Sequence, residues 1–170
     1  MFFSLVSPKV VKFAAVALVA ASLSACASKT DDPNALNGGL GAGAGASVPG
    51  SQQDFVVNVG DRVFFETDSS ELTPTAVATL DKQAGWLSRY PRYSFTVEGH
   101  ADERGTREYN FALSARRAET VRNYLAAKGI ASNRMRTMSF GKERPVAVCD
   151  DISCWSQNRR SVTVLSGAGS

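Results

Sequence analysis

Tyr93-Ser94-Phe95-Thr96-Val97-Glu98 alternates apolar and polar side chains, and Gly99 ends the alternation. A period of two marks a strand with one buried face, and glycine punctuates it. A polar loop follows, then a long run in which Ala118, Val121 and Leu125 recur at helical spacing. A strand feeding a helix through a charged loop commits the chain to layers of sheet and helix, with the loop at a strand's carboxyl end. Thr106 reads as the helix N-cap, and Glu108 places a carboxylate in the first turn, where free N–H groups and the helix dipole favour it. Gly129 suits the left-handed position just past the helix.

The polar residues of this stretch are the candidate site. Asn110 and Arg117 are seven positions apart, which puts them nearly in line on one helix face, about 10 Å apart along the axis. Asp102 lies in the preceding loop, so a fixed carboxylate and a fixed guanidinium can flank a small ligand. A zwitterion suits that pair: its ammonium against Asp102, its carboxylate in the planar two-donor fork of Arg117, which lysine does not reproduce. The competing reading is a surface salt bridge or a capping cluster, and spacing alone does not choose.

The chain has 170 residues, enough for one domain with attachments and a real core. Lys9 and Lys12 precede an apolar run from Phe13 to Leu23, and Ser24-Ala25-Cys26 follows, in the order of a secretory signal over residues 1–25. The run is shorter than the roughly 20 apolar residues of a membrane span. Leu23-Ser24-Ala25-Cys26 resembles the bacterial lipobox, which implies cleavage before Cys26 and a diacylglyceryl group and a third acyl chain on it. At about 0.8 kcal/mol per buried CH₂, several chains anchor stably where one binds reversibly. Ala27, in place of aspartate, resembles the pattern of export to the outer membrane. An ordinary signal with an incidental cysteine is the alternative. The net charge of +3 comes largely from the leader: without its two lysines, 17 basic face 16 acidic side chains. With no basic stripe left, nucleic-acid binding is disfavoured.

Residues 26–54 join Cys26 to a Gly/Ala-rich spacer, including Asn37-Gly38-Gly39-Leu40-Gly41-Ala42-Gly43-Ala44-Gly45-Ala46. Such a segment buries too little apolar surface to offset its ordering entropy, so disorder is expected to about Gln53. Phe55–Val59 and Arg62–Phe65 are strand candidates divided by Gly60-Asp61, the second the better core strand. Thr73-Pro74 opens a helix to Arg89 with Val77, Leu80, Ala84 and Leu87 inward. Strands follow at 93–98, 135–140 and 161–165, with the long helix at about 107–128. The order predicts an α+β fold, a two-layer βαβαββ sandwich with a mixed sheet over residues 55–166 and a tail at 167–170.

With Cys26 lipidated, Cys149 and Cys154 remain in an exported chain, and a short disulfide loop is the preferred pairing. A single histidine and two sulfurs do not make a zinc site, so no metal is expected. Arg159 and Arg160 are either solvated charges or, for one of them, a second anion donor turned towards the central loop.

Gly99-His100-Ala101-Asp102-Glu103-Arg104-Gly105-Thr106, Tyr109-Asn110, Leu113-Ser114 and Arg116-Arg117-Ala118, with Phe140-Gly141-Lys142-Glu143-Arg144-Pro145 further on, resemble the OmpA-like peptidoglycan-binding domain family. The resemblance implies non-covalent binding of the cell wall's peptide stem through diaminopimelate, whose far end is a free zwitterion. It assigns the ammonium to Asp102 and the carboxylate to Arg117, with Asp68 and Asn110 at supporting positions, Arg159 at a further one, and Arg104 as a neighbouring contact. Glu66 and the Cys149–Cys154 segment depart from the family pattern, at the rim of the site more than its centre. The resemblance further implies an outer-membrane lipoprotein facing the periplasm, without catalysis and with no cofactor beyond the lipid on Cys26. Its implied partners are the Tol proteins, chiefly the propeller protein TolB, in envelope integrity and cell division. A protein-interaction scaffold and a peptidoglycan hydrolase are the rivals. His100 with Asp102 is too little for a metal hydrolase, and Cys149 and Cys154 lack a paired base, so His100 reads as a structural histidine bonded near the strand end. Replacing Asp102 or Arg117 by alanine is expected to weaken wall binding with the fold intact.

Overall fold

The computed structural model describes residues 47–166. The expected signal peptide, Cys26, most of the spacer and the tail lie outside the described residues. Strands β1 (Arg62–Phe64), β2 (Ser94–Gly99), β3 (Met135–Ser139) and β4 (Arg160–Ser166) form one sheet in the order β1-β4-β2-β3. β4 runs antiparallel to both β1 and β2, and β3 runs parallel to β2. The expected mixed sheet is therefore present, and its direction pattern fixes where a site can form. β1, β2 and β3 all end at one edge of the sheet, and β4 begins there.

Helices α2 (Pro74–Arg89) and α3 (Arg107–Ala127) carry the two crossovers. Thr73 caps α2 by accepting from the Ala76 amide, with proline in the first turn, and Thr106 caps α3 by accepting from the Tyr109 amide. Gly129 has φ +91°, the left-handed conformation that releases the chain from α3. The core lies between helices and sheet: Leu80, Ala84 and Leu87 of α2 and Ala118, Val121 and Leu125 of α3 meet Val63, Phe95 and Val97.

At Gly99 the sheet passes so near α3 that a Cβ there would collide with the Ser114 carbonyl. Beside it, Ser114 Oγ lies 2.5 Å from Ser139 Oγ and accepts from the Gly141 amide at 2.9 Å. This latch fixes the ends of β2 and β3 against the first half of α3. It sets the base of the loop that follows Gly99.

Three expectations need correction. Phe55–Val59 is a π-helical turn following the short helix α1 (Gln52–Asp54), not a strand. Phe55 is buried against Trp86, with ring centroids 4.9 Å apart, so a single aromatic anchor replaces the alternating face a strand would need. The last part of the expected disordered spacer is also ordered. The Gly50 carbonyl accepts from Tyr93 Oη at 2.7 Å and Arg92 Nη2 at 2.8 Å, and Asp54 accepts from Trp86 Nε1, so the folded unit starts before residue 55. The third concerns the last connection, which holds a further helix, α4 (Ile152–Asn158).

Candidate functional site

Because β1, β2 and β3 end where β4 begins, the loops after β1 and β2, the start of α3 and the start of β4 converge. They enclose a cleft of about 260 Å³ lined by Thr67, Asp68, Asp102, Arg104, Tyr109, Asn110, Leu113, Arg117 and Arg159. All six residues singled out from the sequence as ligand contacts, Asp68, Asp102, Arg104, Asn110, Arg117 and Arg159, lie on its wall.

Arg117 is fully buried at its base. Nε donates to the Ser69 carbonyl at 2.8 Å, Nη1 to the His100 carbonyl at 2.9 Å and Nη2 to the Glu66 carbonyl at 3.1 Å. The guanidinium thus fastens the loop after β1 to the loop after β2. Three of its five N–H groups donate to these carbonyls, and the side chain lines the cleft. Burial, with Arg159 nearby, pushes its pKa down to about 10, against the pull of Asp102 and Asp68, so it stays charged at neutral pH.

Asp102 sits opposite in charge and is itself nearly buried. Arg104 Nη2 donates to Oδ2 at 2.6 Å and Arg159 Nη1 to the same oxygen at 3.3 Å. Burial pushes this carboxyl up, but the Arg104 guanidinium, aided by Arg159, outweighs it and holds the group below the usual carboxylate range. The two arginines differ in freedom: the Arg159 side chain is 6% exposed and also donates to the Phe65 carbonyl, whereas that of Arg104 is 40% exposed. An incoming cation therefore displaces Arg104 more readily than Arg159. Arg159, not Arg160, is the arginine turned to the central loop. Arg160 donates to the Asn158 and Arg144 carbonyls.

Asp68 is a non-glycine residue in the left-handed region, φ +55°, and accepts a hydrogen bond from Tyr109 Oη. Aspartate tolerates that backbone better than most residues. The bond raises the Tyr109 phenol above its ordinary value. Asn110 Nδ2 donates to the Arg104 carbonyl at 2.6 Å, so it shapes the loop as well as lining the cleft. At Glu66, where the sequence departs from the family pattern, it is the backbone carbonyl that Arg117 engages.

His100 differs from the expectation of a hydrogen-bonded structural histidine. It is 2% exposed, neither ring nitrogen has a hydrogen-bond partner among the described residues, and the ring stacks on Phe140 with centroids 5.4 Å apart. Burial, with Arg160 and Arg144 adding repulsion, lowers its pKa to about 4. It is a neutral packing group outside the cleft wall. Cys149 and Cys154 are joined by a disulfide. Among the described residues no cluster of three metal-ligating side chains occurs, and no helix is long and apolar enough to cross a membrane.

Thr67, Tyr109 and Leu113 also line the wall; none was singled out from the sequence as a contact, and Tyr109 and Leu113 stood there only as parts of a motif. Tyr109 was findable, since it lies beside Asn110 at the start of α3. Trp155, which donates to Glu103 and stacks on Arg104 at the cleft rim, carried no local signal, because that loop lies 52 positions away in sequence.

The arrangement has relatives. Residues 64–159 match the OmpA family. The chain is 68% identical over 149 residues to a peptidoglycan-associated lipoprotein of Rhizobium meliloti, covering 88% of this chain and 84% of the relative. It is 43% identical over 158 residues to the protein of the same name in Pseudomonas aeruginosa, covering 88% and 93%. A crystal structure of the peptidoglycan-associated lipoprotein from Burkholderia pseudomallei superposes with a TM-score of 0.61 at 40% identity, over 62% of this chain and 90% of that one. The C-terminal domain of Helicobacter pylori MotB shares the fold at 23% identity, with a TM-score of 0.60 over 64% of this chain and 86% of that one. On the match over most of its described length, the chain belongs to the OmpA family and, within it, to the peptidoglycan-associated lipoproteins.

Proposed function

We propose that this protein binds peptidoglycan non-covalently by gripping the free zwitterionic end of diaminopimelate in a stem peptide, and so tethers the outer membrane to the wall. The observation that carries the reading is the cleft itself. A buried guanidinium and a carboxylate whose main partner is a half-exposed arginine line one small hollow. Arg117 takes the carboxylate, Asp102 takes the ammonium in exchange for Arg104, and Arg159 keeps Asp102 in place. Asp68, Asn110 and Tyr109 complete the wall. The peptidoglycan-associated relatives support the same ligand class.

At the other end, Cys26 carries the acyl chains that hold the protein in the outer membrane with its domain in the periplasm, as the names of the relatives support. Cys26→Ser then releases the protein from membranes, and retention of that variant in the membrane fraction contradicts the anchor. TolB and the other Tol proteins are the proposed protein partners. A scaffold reading has one observation of its own: Val146, Val148 and Ile152 are more than half exposed beside the Cys149–Cys154 segment.

Purified sacculi separate the readings. Co-sedimentation that free diaminopimelate competes away, with no soluble fragments released, supports the tether. Fragment release supports a hydrolase, and absence of co-sedimentation supports the scaffold.

A further inference from the structure

Helix α4 touches the loop that carries Asp102 at two points. Its C-cap, Arg159, pairs with Asp102 directly. One turn earlier, Trp155 Nε1 donates to the Glu103 carboxylate, and the indole face lies 4.1 Å from the Arg104 guanidinium carbon. The Arg159 amide bonds the Trp155 carbonyl at 3.0 Å, so the two residues share one turn of backbone. The helix is short but fastened at its start. Asp151 caps it by accepting from the Ser153 amide at 2.7 Å, and the Cys149–Cys154 disulfide closes around that cap.

Arg104 is therefore held from two sides, by Asp102 in the cleft and by the indole outside it. Without the ring, a side chain this exposed explores many rotamers, and the charge pattern that a ligand meets is lost for part of the time. An aromatic face holds a guanidinium without neutralising it, so Arg104 stays at the cleft rim while yielding Asp102 to a ligand's ammonium.

We infer that Trp155, carried on the disulfide-clasped helix α4, is a positioning residue of the cleft: its ring holds the Arg104 guanidinium at the rim once a ligand's ammonium has taken Asp102, so that Arg104 does not compete for that carboxylate. The inference rests on the zwitterion reading of the cleft.

The test uses the full-length chain in detergent, isotopically labelled, titrated with a soluble stem peptide that carries diaminopimelate. Trp155→Ala weakens binding by about three- to tenfold, the range of a cation–π contact, and Trp155→Phe, which keeps the ring face, stays within about twofold of the unaltered chain. In the unaltered chain the Trp155 indole N–H resonance moves on titration, while that of Trp86, which bonds Asp54, does not. Unchanged affinity in Trp155→Ala, a phenylalanine variant as weak as the alanine one, or a silent Trp155 resonance overturns the inference. If the unaltered chain fails to bind the peptide, the zwitterion reading itself falls.

Discussion

Arg117→Ala should unfold much of what the site depends on. The side chain is fully buried and donates to three backbone carbonyls, of Glu66, Ser69 and His100, in two loops that no strand pairing joins. Alanine leaves those oxygens without a donor, at about 1–3 kcal/mol for each that stays dry. The cleft is open enough to admit water to some of them, so the three costs do not add fully. A loss of about 3–5 kcal/mol follows from three such carbonyls whose costs add only in part. Against a domain stability of about 5–15 kcal/mol this is a large share. Arg117→Lys keeps the charge but cannot span three carbonyls with one ammonium, and should lose about 1–3 kcal/mol. Urea unfolding followed by circular dichroism measures both. With a slope of about 1–3 kcal/mol per molar, the alanine variant moves the midpoint down by at least about 1 M. A loss below about 1 kcal/mol at unchanged slope would show that the three hydrogen bonds do not hold the loops, and would refute the reasoning. The sequence alone suggested that Arg117→Ala spares the fold. Burial overturns that, and makes Asp102→Asn the cleaner probe of binding.

Further outcomes follow from other parts of the molecule. Gly99→Ala forces a methyl group into the Ser114 carbonyl and should cost about 1–3 kcal/mol by separating β2 from α3, readable as a lowered melting temperature. A variant as stable as the parent contradicts the close approach. His100 is neutral in the fold with its pKa lowered to about 4, so only the unfolded chain takes up its proton as pH falls from about 6.5. Its contribution is complete above pH 6.5 and is lost between 6.5 and 4, by up to about 3 kcal/mol. His100→Phe should flatten urea-derived stability between pH 7 and 5, and an unchanged slope in that variant assigns the pH dependence elsewhere.

Much of this was legible in the chain itself. Caps at Thr73 and Thr106, the glycine at 129 and the period-two run before Gly99 are local signals, and local geometry realised them. Asp102, Asn110 and Arg117 were readable because they sit in one loop–helix unit. Phe55–Val59 failed because a run of apolar residues says nothing of period, and Trp86 anchors Phe55 alone, in a π-helical turn in which no other residue is buried. The extent of Arg117's burial was hidden too, because two of its three carbonyl partners, those of Glu66 and Ser69, lie about fifty positions upstream and depend on where β1 ends. Trp155 and α4 needed the same long-range information.

The central claim is that opposite fixed charges in one cleft read both ends of a zwitterion. It is tested most directly by calorimetric titration with two soluble stem peptides, one carrying diaminopimelate and one carrying lysine, which keeps the ammonium and lacks the far carboxylate. The account predicts binding of the first and at least about tenfold weaker binding of the second, with Asp102→Asn weakening the first by a similar factor. Equal affinity for both peptides, or full affinity in Asp102→Asn, would contradict it.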